Sequence, residues 1–178
     1  MIEKAIELAK SVHIGQKRKF DGAEYFSHPD MVANIVKKYK KSKHIVELVC
    51  AAYLHDVIED GNITYEYLNK EFGDMISSLV LEVTNDVKLL SEYGKKEYIT
   101  KKSLTLTNYA LVIKLSDRLH NLSDIDIAPK EFVKKYTDET SYLIKVLREF
   151  RKLTKTQMQI ILEIENIIYK VKKDATIV

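Results

Sequence analysis

From Leu48 to Leu54 the chain reads Leu-Val-Cys-Ala-Ala-Tyr-Leu, and the helical pattern that contains it runs from about residue 44 to 60. A helix that is apolar on nearly all sides has no face for water, so neighbouring elements must cover it. The rest of the chain supplies such neighbours. Ile2, Ala5, Ile6, Ala9 and Val12 recur at helical spacing and predict an amphipathic helix over residues 2–13. Gly15, Asp21 and Gly22 mark the following stretch as a loop. Pro29 then stands where a helix starts, which makes His28 its expected N-cap, with Met31, Val32, Ile35, Val36 and Tyr39 as the buried stripe.

Gly61 and Asn62 end the central helix, with Gly61 expected in a left-handed conformation. Thr64 caps a short helix through Phe72, and Phe72, Met75, Ile76, Leu79, Val80 and Val83 mark the next one. Residues 88–107 are polar, Lys-rich and interrupted by Gly94, which reads as a mobile helical excursion. Asn108 to Ile127 is again helical, and Pro129 opens a helix to about Arg151. Thr154 and Gln157 form a capping box before a last helix striped with Ile160, Ile161, Ile164, Ile167, Ile168 and Val171. The tail after Lys173 is expected to fray. Two prolines and five glycines in 178 residues suit this pattern, and no alternating strand signal appears. The expectation is one all-α domain.

Hydrophobic residues make up 46% and charged residues 31%, a soluble globular composition, and no stretch approaches a bilayer span. The amino terminus lacks a signal-peptide core. The single cysteine, Cys50, lies in the apolar run and reads as a buried side chain. These features together predict a cytoplasmic protein with no membrane partner. A net charge of +3 is too mild to argue for nucleic acid. Lysines cluster at 37–43 and again at 95, 96, 101 and 102. Solvated helix faces are their ordinary reading, and a positive rim for a phosphorylated substrate is the sharper one.

The chemistry begins where the central helix ends, in His55-Asp56-Val57-Ile58-Glu59-Asp60. Three carboxylates crowd a helix C-terminus, where the dipole is already negative. Each such charge costs about 0.3–1 kcal/mol, and mutual repulsion adds to it. A bound cation would offset that cost. A second polar cluster, Ser116, Asp117, Arg118, His120 and Asn121, interrupts another buried helix after ALVIKL. Asp117 and Asn121 share a face there. Arg118 reads as the partner of a buried carboxylate. Asp117 reads as a ligand, because two buried helices that each end in acid plus histidine suggest one shared site. With His28, two histidines and two carboxylates make a mixed nitrogen and oxygen set that suits Mn2+, Fe2+ or Zn2+ better than Ca2+.

His28-Pro29, His55-Asp56 with Glu59-Asp60, and KLSDRLHN at 114–121 resemble the HD hydrolase domain of the RelA/SpoT family. The resemblance begins near His13 and runs through Gln16, Arg18, Lys19, Tyr25, Phe72-Gly73 and Val83-Thr84 to just past Asn121. It implies an HD-domain helical bundle over residues 1–178, with the motifs in about 1–127 and C-terminal helices at about 129–173, and a metal site between central helices. It implies removal of the 3′-pyrophosphate of ppGpp and pppGpp, giving GDP or GTP and pyrophosphate, usually with Mn2+. Carried over by position, His28, His55, Asp56 and Asp117 are metal ligands, and Glu59 and Asp60 are the catalytic acids. Arg18 and Lys19 contact the nucleotide, Arg18 by stacking on the base, and Asn121 lies near the ribose. His13 and His120 are groups that pack behind the ligands, and His44 is a surface residue.

Two departures stand out. The loop carries Phe20-Asp21 where a serine commonly follows the basic pair, and is one residue longer than the family's usual form. After Asn121 the chain reads Leu-Ser-Asp124 rather than Met-Arg-Thr. The chain also stops short of a synthetase domain, so it resembles a small stand-alone alarmone hydrolase. A metal so held would lower the pKa of water from about 15.7 toward ~7, with Glu59 and Asp60 orienting the water and moving its proton. Two other readings stay open: a phosphohydrolase for another nucleotide or phosphorylated metabolite, such as dNTPs, NMPs or NADPH, and a non-catalytic nucleotide sensor or helical interaction module.

Overall fold

A computed structural model of the protein describes the backbone of residues 1–176 and the side chains of residues 1–173. Eleven α-helices and a 3-10 turn are present among the described residues, and no strand; Lys17 and Glu24 form an isolated bridge across a loop. The all-α expectation holds. The elements are α1 (Ile2–Val12), α2 (Ser27–Tyr39), α3 (Ile45–Tyr53), α4 (Val57–Asp60), α5 (Tyr65–Phe72), α6 (Asp74–Val83), α7 (Val87–Tyr93), α8 (Lys95–Thr105), α9 (Asn108–Ser123), α10 (Lys130–Phe150) and α11 (Lys155–Thr176). The 3-10 turn is Ile125–Ile127.

Helix α3 is central, as its composition demands. Leu48 through Leu54 are all buried, and α3 packs against α1, α2, α6 and α9. Cys50 is fully buried, and burial pushes its thiol up to about 11. The stripe of α11 lands as the spacing requires: Ile160, Ile161 and Ile164 have no exposed surface, and α11 lies along α9. The fraying expected after Lys173 concerns α11, which extends to Thr176, and Ile177 and Val178, which lie outside the described residues. No helix is long and apolar enough to cross a membrane among the described residues.

Caps behave largely as read. Thr64 accepts from the Tyr67 N–H at 3.2 Å. Gln157 Oε1 accepts from Thr154 N–H at 2.8 Å, and its Nε2 donates to Asn108 O at 3.0 Å. This buried amide therefore ties the start of α11 to the start of α9.

Four expectations need correction. The helix read over 44–60 breaks after Tyr53, and a turn through Leu54–Asp56 separates α3 from α4. His28 is not an N-cap: Phe26 is already helical in its dihedrals, His28 N donates to Tyr25 O at 2.8 Å, and His28 sits inside the first turn of α2. Gly61 is extended rather than left-handed, at φ −127° and ψ 173°. Its need for glycine is steric, since a Cβ there would meet Val12 Cγ1 at 2.8 Å and Val57 O at 2.9 Å. Finally, residues 88–107 are helical as expected, but the α8 part is no loose excursion. Gly94, at φ 78°, joins α7 to α8, and α8 buries Tyr98, Ile99, Thr100 and Ser103 and packs on α10.

Two stability outcomes follow from these contacts. Gly61→Ala and Gly61→Asn should each destabilise by about 1–3 kcal/mol through overpacking; a left-handed site would accept Asn with little loss, and urea denaturation separates the two. Gln157→Leu should cost about 1–3 kcal/mol by orphaning Thr154 N–H and cutting the tie to the start of α9, read as a lower thermal midpoint.

Candidate metal centre

The break after Tyr53 builds the site. In a continuing helix the Ala52 carbonyl would accept from the Asp56 N–H. Here His55 Nδ1 stands 2.8 Å from it, so the imidazole takes the carbonyl and the chain turns. With Nδ1 serving as donor, neutral His55 carries its lone pair on Nε2. That nitrogen lies 3.2 Å from His28 Nε2 and 3.1 Å from Asp56 Oδ2. His28 Nε2 is in turn 3.7 Å from Asp56 Oδ2 and 3.3 Å from Asp117 Oδ1.

These separations fit a metal. Ligand bonds of about 2.0–2.2 Å to one ion place neighbouring donors about 3.0–3.6 Å apart. The donor atoms of His28, His55 and Asp56 all lie within 4.8 Å of one another, and Asp117 reaches them through His28. Two imidazole nitrogens facing each other at 3.2 Å need a cation or a proton between them. The helix dipole argument changes, because α3 ends before the acids begin. Asp56 is the N-cap residue of α4, and like-charge crowding, not the α3 terminus, carries the electrostatic cost.

Neighbouring charges show how the acids are held. Burial alone would raise the Asp117 carboxyl, but Lys114, with Nζ 3.2 Å away, and His28 keep it well below its usual range. Burial would raise Asp56 too, and His55 then His28 hold it below the usual range. Burial acts to lower His55, yet Asp56 and Asp117 lift it to about 9. Asn121 Nδ2 donates to Asp117 Oδ1 at 2.6 Å, and Tyr25 OH donates to Asp56 Oδ2 at 2.8 Å. Burial and the Asp56 charge push the Tyr25 phenol up. Arg118 does not neutralise a carboxylate as read from the sequence. Lys114 does so, while Arg118 donates to Thr140 Oγ1 at 3.2 Å and lies over the Tyr136 ring.

Above the cluster lies a cavity of about 340 Å³. His28, Asp56, Asp117 and Glu59 contribute acid and imidazole to its lining; Arg18, Lys19, Lys95, Lys114 and Arg118 contribute positive charge. Phe20, Phe132 and Tyr136 supply aromatic surface, and Asn121 lines it too. The two acids of α4 part company. Glu59 lines the cavity and accepts from Asn85 N–H at 2.5 Å. Asp60 instead lies 3.9 Å from His13 Nδ1. Burial raises both carboxyls, with the Asp56 charge adding to Asp60.

Arg18 is nearly buried and gripped from two sides, by Asp21 at 3.5 Å and Asp124 at 3.3 Å. The two departures from the family pattern thus meet at one guanidinium. Lys19 lies over the rings of Phe20 and Phe132. His120 Nδ1 is 2.7 Å from His28 Nδ1, and burial, then the His28 and Arg18 charges, lower it to about 4. His13 is buried against Tyr25, and His44 is half-buried beside Tyr109. None of the lysines at 37–43 lines the cavity, whereas Lys95 from the second cluster does. Sequence reasoning missed Asn85, Phe132 and Tyr136. Phe132 and Tyr136 sit four apart on α10 among Lys130, Glu131, Lys134 and Lys135, and that aromatic pair on a charged helix was the available signal.

A family model described as HD domain matches residues 5–149. A Danio rerio protein named guanosine-3′,5′-bis(diphosphate) 3′-pyrophosphohydrolase MESH1 is 31% identical over 149 residues, covering 80% of this chain and 82% of its own. A protein of Aquifex aeolicus named guanosine-3′,5′-bis(diphosphate) 3′-pyrophosphohydrolase is 35% identical over 141 residues, covering 78% of this chain. The chain spans about a fifth of the length of that protein and of comparable bacterial relatives. Among solved structures, one described as a metazoan ortholog of SpoT that hydrolyzes ppGpp superposes with a TM-score of 0.79 at 26% identity, covering 95% of this chain and 94% of that one. With residues 5–149 matched and a relative covered over most of its length, the chain belongs to the HD domain family.

Proposed function

We propose that this chain is a metal-dependent phosphohydrolase that removes the 3′-pyrophosphate of ppGpp and pppGpp, giving GDP or GTP and pyrophosphate. The observation that carries the reading is the convergence of two imidazole nitrogens and two carboxylates beneath a cavity with a cationic wall. The names of the Danio rerio and Aquifex aeolicus relatives supply the substrate. His28, His55, Asp56 and Asp117 hold the metal, which we take to be Mn2+. When bound, the ion acidifies water and polarises phosphoryl oxygen. Residues 1–178 act as one hydrolase domain in the cytoplasm.

The chain's own groups do the rest. Glu59, on the cavity wall with a raised pKa, takes a proton from the attacking water. Asp60, raised by burial and Asp56, assists in orienting water and passing that proton on. Water oxygen adds to phosphorus, the bond to the 3′-oxygen breaks, and that oxygen leaves with a proton. Arg18, Lys19 and Asn121 bind the nucleotide. A second reading, hydrolysis of another nucleotide such as a dNTP, an NMP or NADPH, is favoured by one observation: Arg18 is already engaged by Asp21 and Asp124.

The double variant Glu59→Gln/Asp60→Asn should retain Mn2+ and lose ppGpp hydrolysis by ~10²–10⁴-fold, read by nucleotide product and metal content together. Wild-type turnover in that variant would refute the assignment, and a screen of ppGpp against dNTPs, NMPs and NADPH decides the substrate. Metal uptake should also depend on pH. His55 is protonated below about 9 in the metal-free protein, and only the neutral ring binds metal. Apparent affinity should therefore rise as pH climbs toward 9, and uptake at pH 7.5 should release protons. Calorimetry in buffers of different ionisation enthalpy counts them, and a count of zero contradicts the ligand role of His55.

A further inference from the structure

His120 has no role in the chemistry above, yet it is buried and lies against a metal ligand. Its Nδ1 is 2.7 Å from His28 Nδ1, with the ring centroids 4.9 Å apart. Two ring nitrogens at that separation share one hydrogen, and the sharing fixes both tautomers. If His120 donates, His28 carries its own hydrogen on Nε2, aimed at His55 Nε2 only 3.2 Å away. That arrangement puts a hydrogen where the ion would bind. If His28 donates, its Nε2 lone pair is free, and His120 carries its hydrogen on Nε2. That nitrogen stands 3.7 Å from Asp124 Oδ2, so the second arrangement has an acid waiting for it.

We propose that His120 is a positioning residue for the metal site. It accepts from His28 Nδ1–H and so presents the His28 Nε2 lone pair to the metal, while Asp124 draws the His120 hydrogen to Nε2. The inference rests on the reading of His28 as a ligand. Partners of this kind fix the orientation and tautomer of a ligating imidazole, and their loss typically lowers metal affinity ~10–100-fold. Asp124 stands at one of the two family departures, and the same oxygen is 3.3 Å from Arg18 Nη2, so one carboxylate lies between the loop and the histidine pair.

The test is Mn2+ titration of the metal-stripped full chain by calorimetry, without nucleotide, for wild type, His28→Ala, His120→Phe and His120→Asn. His28→Ala should bind far more weakly than wild type. His120→Phe should weaken binding ~10–100-fold, and His120→Asn, whose amide oxygen falls near the Nδ1 position, should recover most of it. In Zn2+-loaded wild type, nitrogen NMR of labelled histidines should find the hydrogen on Nδ1 of His28 and on Nε2 of His120. Wild-type affinity in a folded His120→Phe protein overturns the proposal, as does a hydrogen on Nδ1 of His120 in the loaded state. If His120→Phe does not fold, the Asn variant and the wild-type NMR decide. Undiminished binding by His28→Ala would instead overturn the metal-site reading and leave the histidine pair unexplained by it.

Discussion

The hydrogen bond from His55 Nδ1 to Ala52 O is the contact on which the site depends. It ends α3 just before the acidic cluster and fixes the other ring nitrogen toward His28. An imidazole with one nitrogen committed to the backbone has no rotational choice left for the second. The metal-type cluster is therefore anchored to the most buried helix of the molecule, not to a loop. The anchoring has a cost. Charges in this position are hard to hydrate, and each must be balanced locally or by a cation. In the metal-free chain the balance falls to a proton, which is why His55 is lifted to about 9 against the effect of burial.

The remaining charges are arranged to be separated as much as paired. Lys114 answers Asp117, and the histidines answer Asp56. Arg118 is left free of carboxylates by stacking on Tyr136 and bonding Thr140. Lys95, on the same cavity wall, is lowered by burial and by the Arg118 charge. Cations that crowd one another in this way sit beside an acidic floor without collapsing onto it. That arrangement produces a local field suited to a ligand that carries its own negative charge and bridges the two.

Much of this was legible in the sequence for definite reasons. The seven apolar residues from Leu48 to Leu54 could only be central, and the Ile stripe of α11 could only face a partner. His55, Asp56 and Asp117 stood out because acids and histidines inside apolar helices need compensation. The break after Tyr53 was not legible. It depends on a side-chain bond to a carbonyl three residues back, and periodicity is blind to that. Gly61 misled because its neighbour Val12 is remote in sequence, so a steric demand looked like a capping signal. The separation of Glu59 from Asp60 was legible in principle, since consecutive positions on a helix do not share a face. The contribution of α10 was missed because its aromatic pair lies beyond the motifs, and packing on α8, with Arg118 against Tyr136 and Phe20 against Phe132, brings it to the cavity.

Arg18 shows how two local departures can act as one. Asp21 and Asp124 are 103 positions apart, yet both face its guanidinium. A planar fork with five donors can satisfy two acids and retain edges for a third acceptor; a lysine held in the same way would have little left to offer. Fixing the guanidinium removes the entropy that a mobile side chain would lose on binding. It also neutralises charge, so a phosphate gains less there than at a free cation. Lys19 is held differently. It lies over Phe20 and Phe132, contacts worth about 0.5–1 kcal/mol at exposed sites, so its ammonium is only weakly held. The loop thus pairs a fixed guanidinium with a loosely held ammonium, and Phe20 and Asp21 share in these two conditions with Phe132 and Asp124.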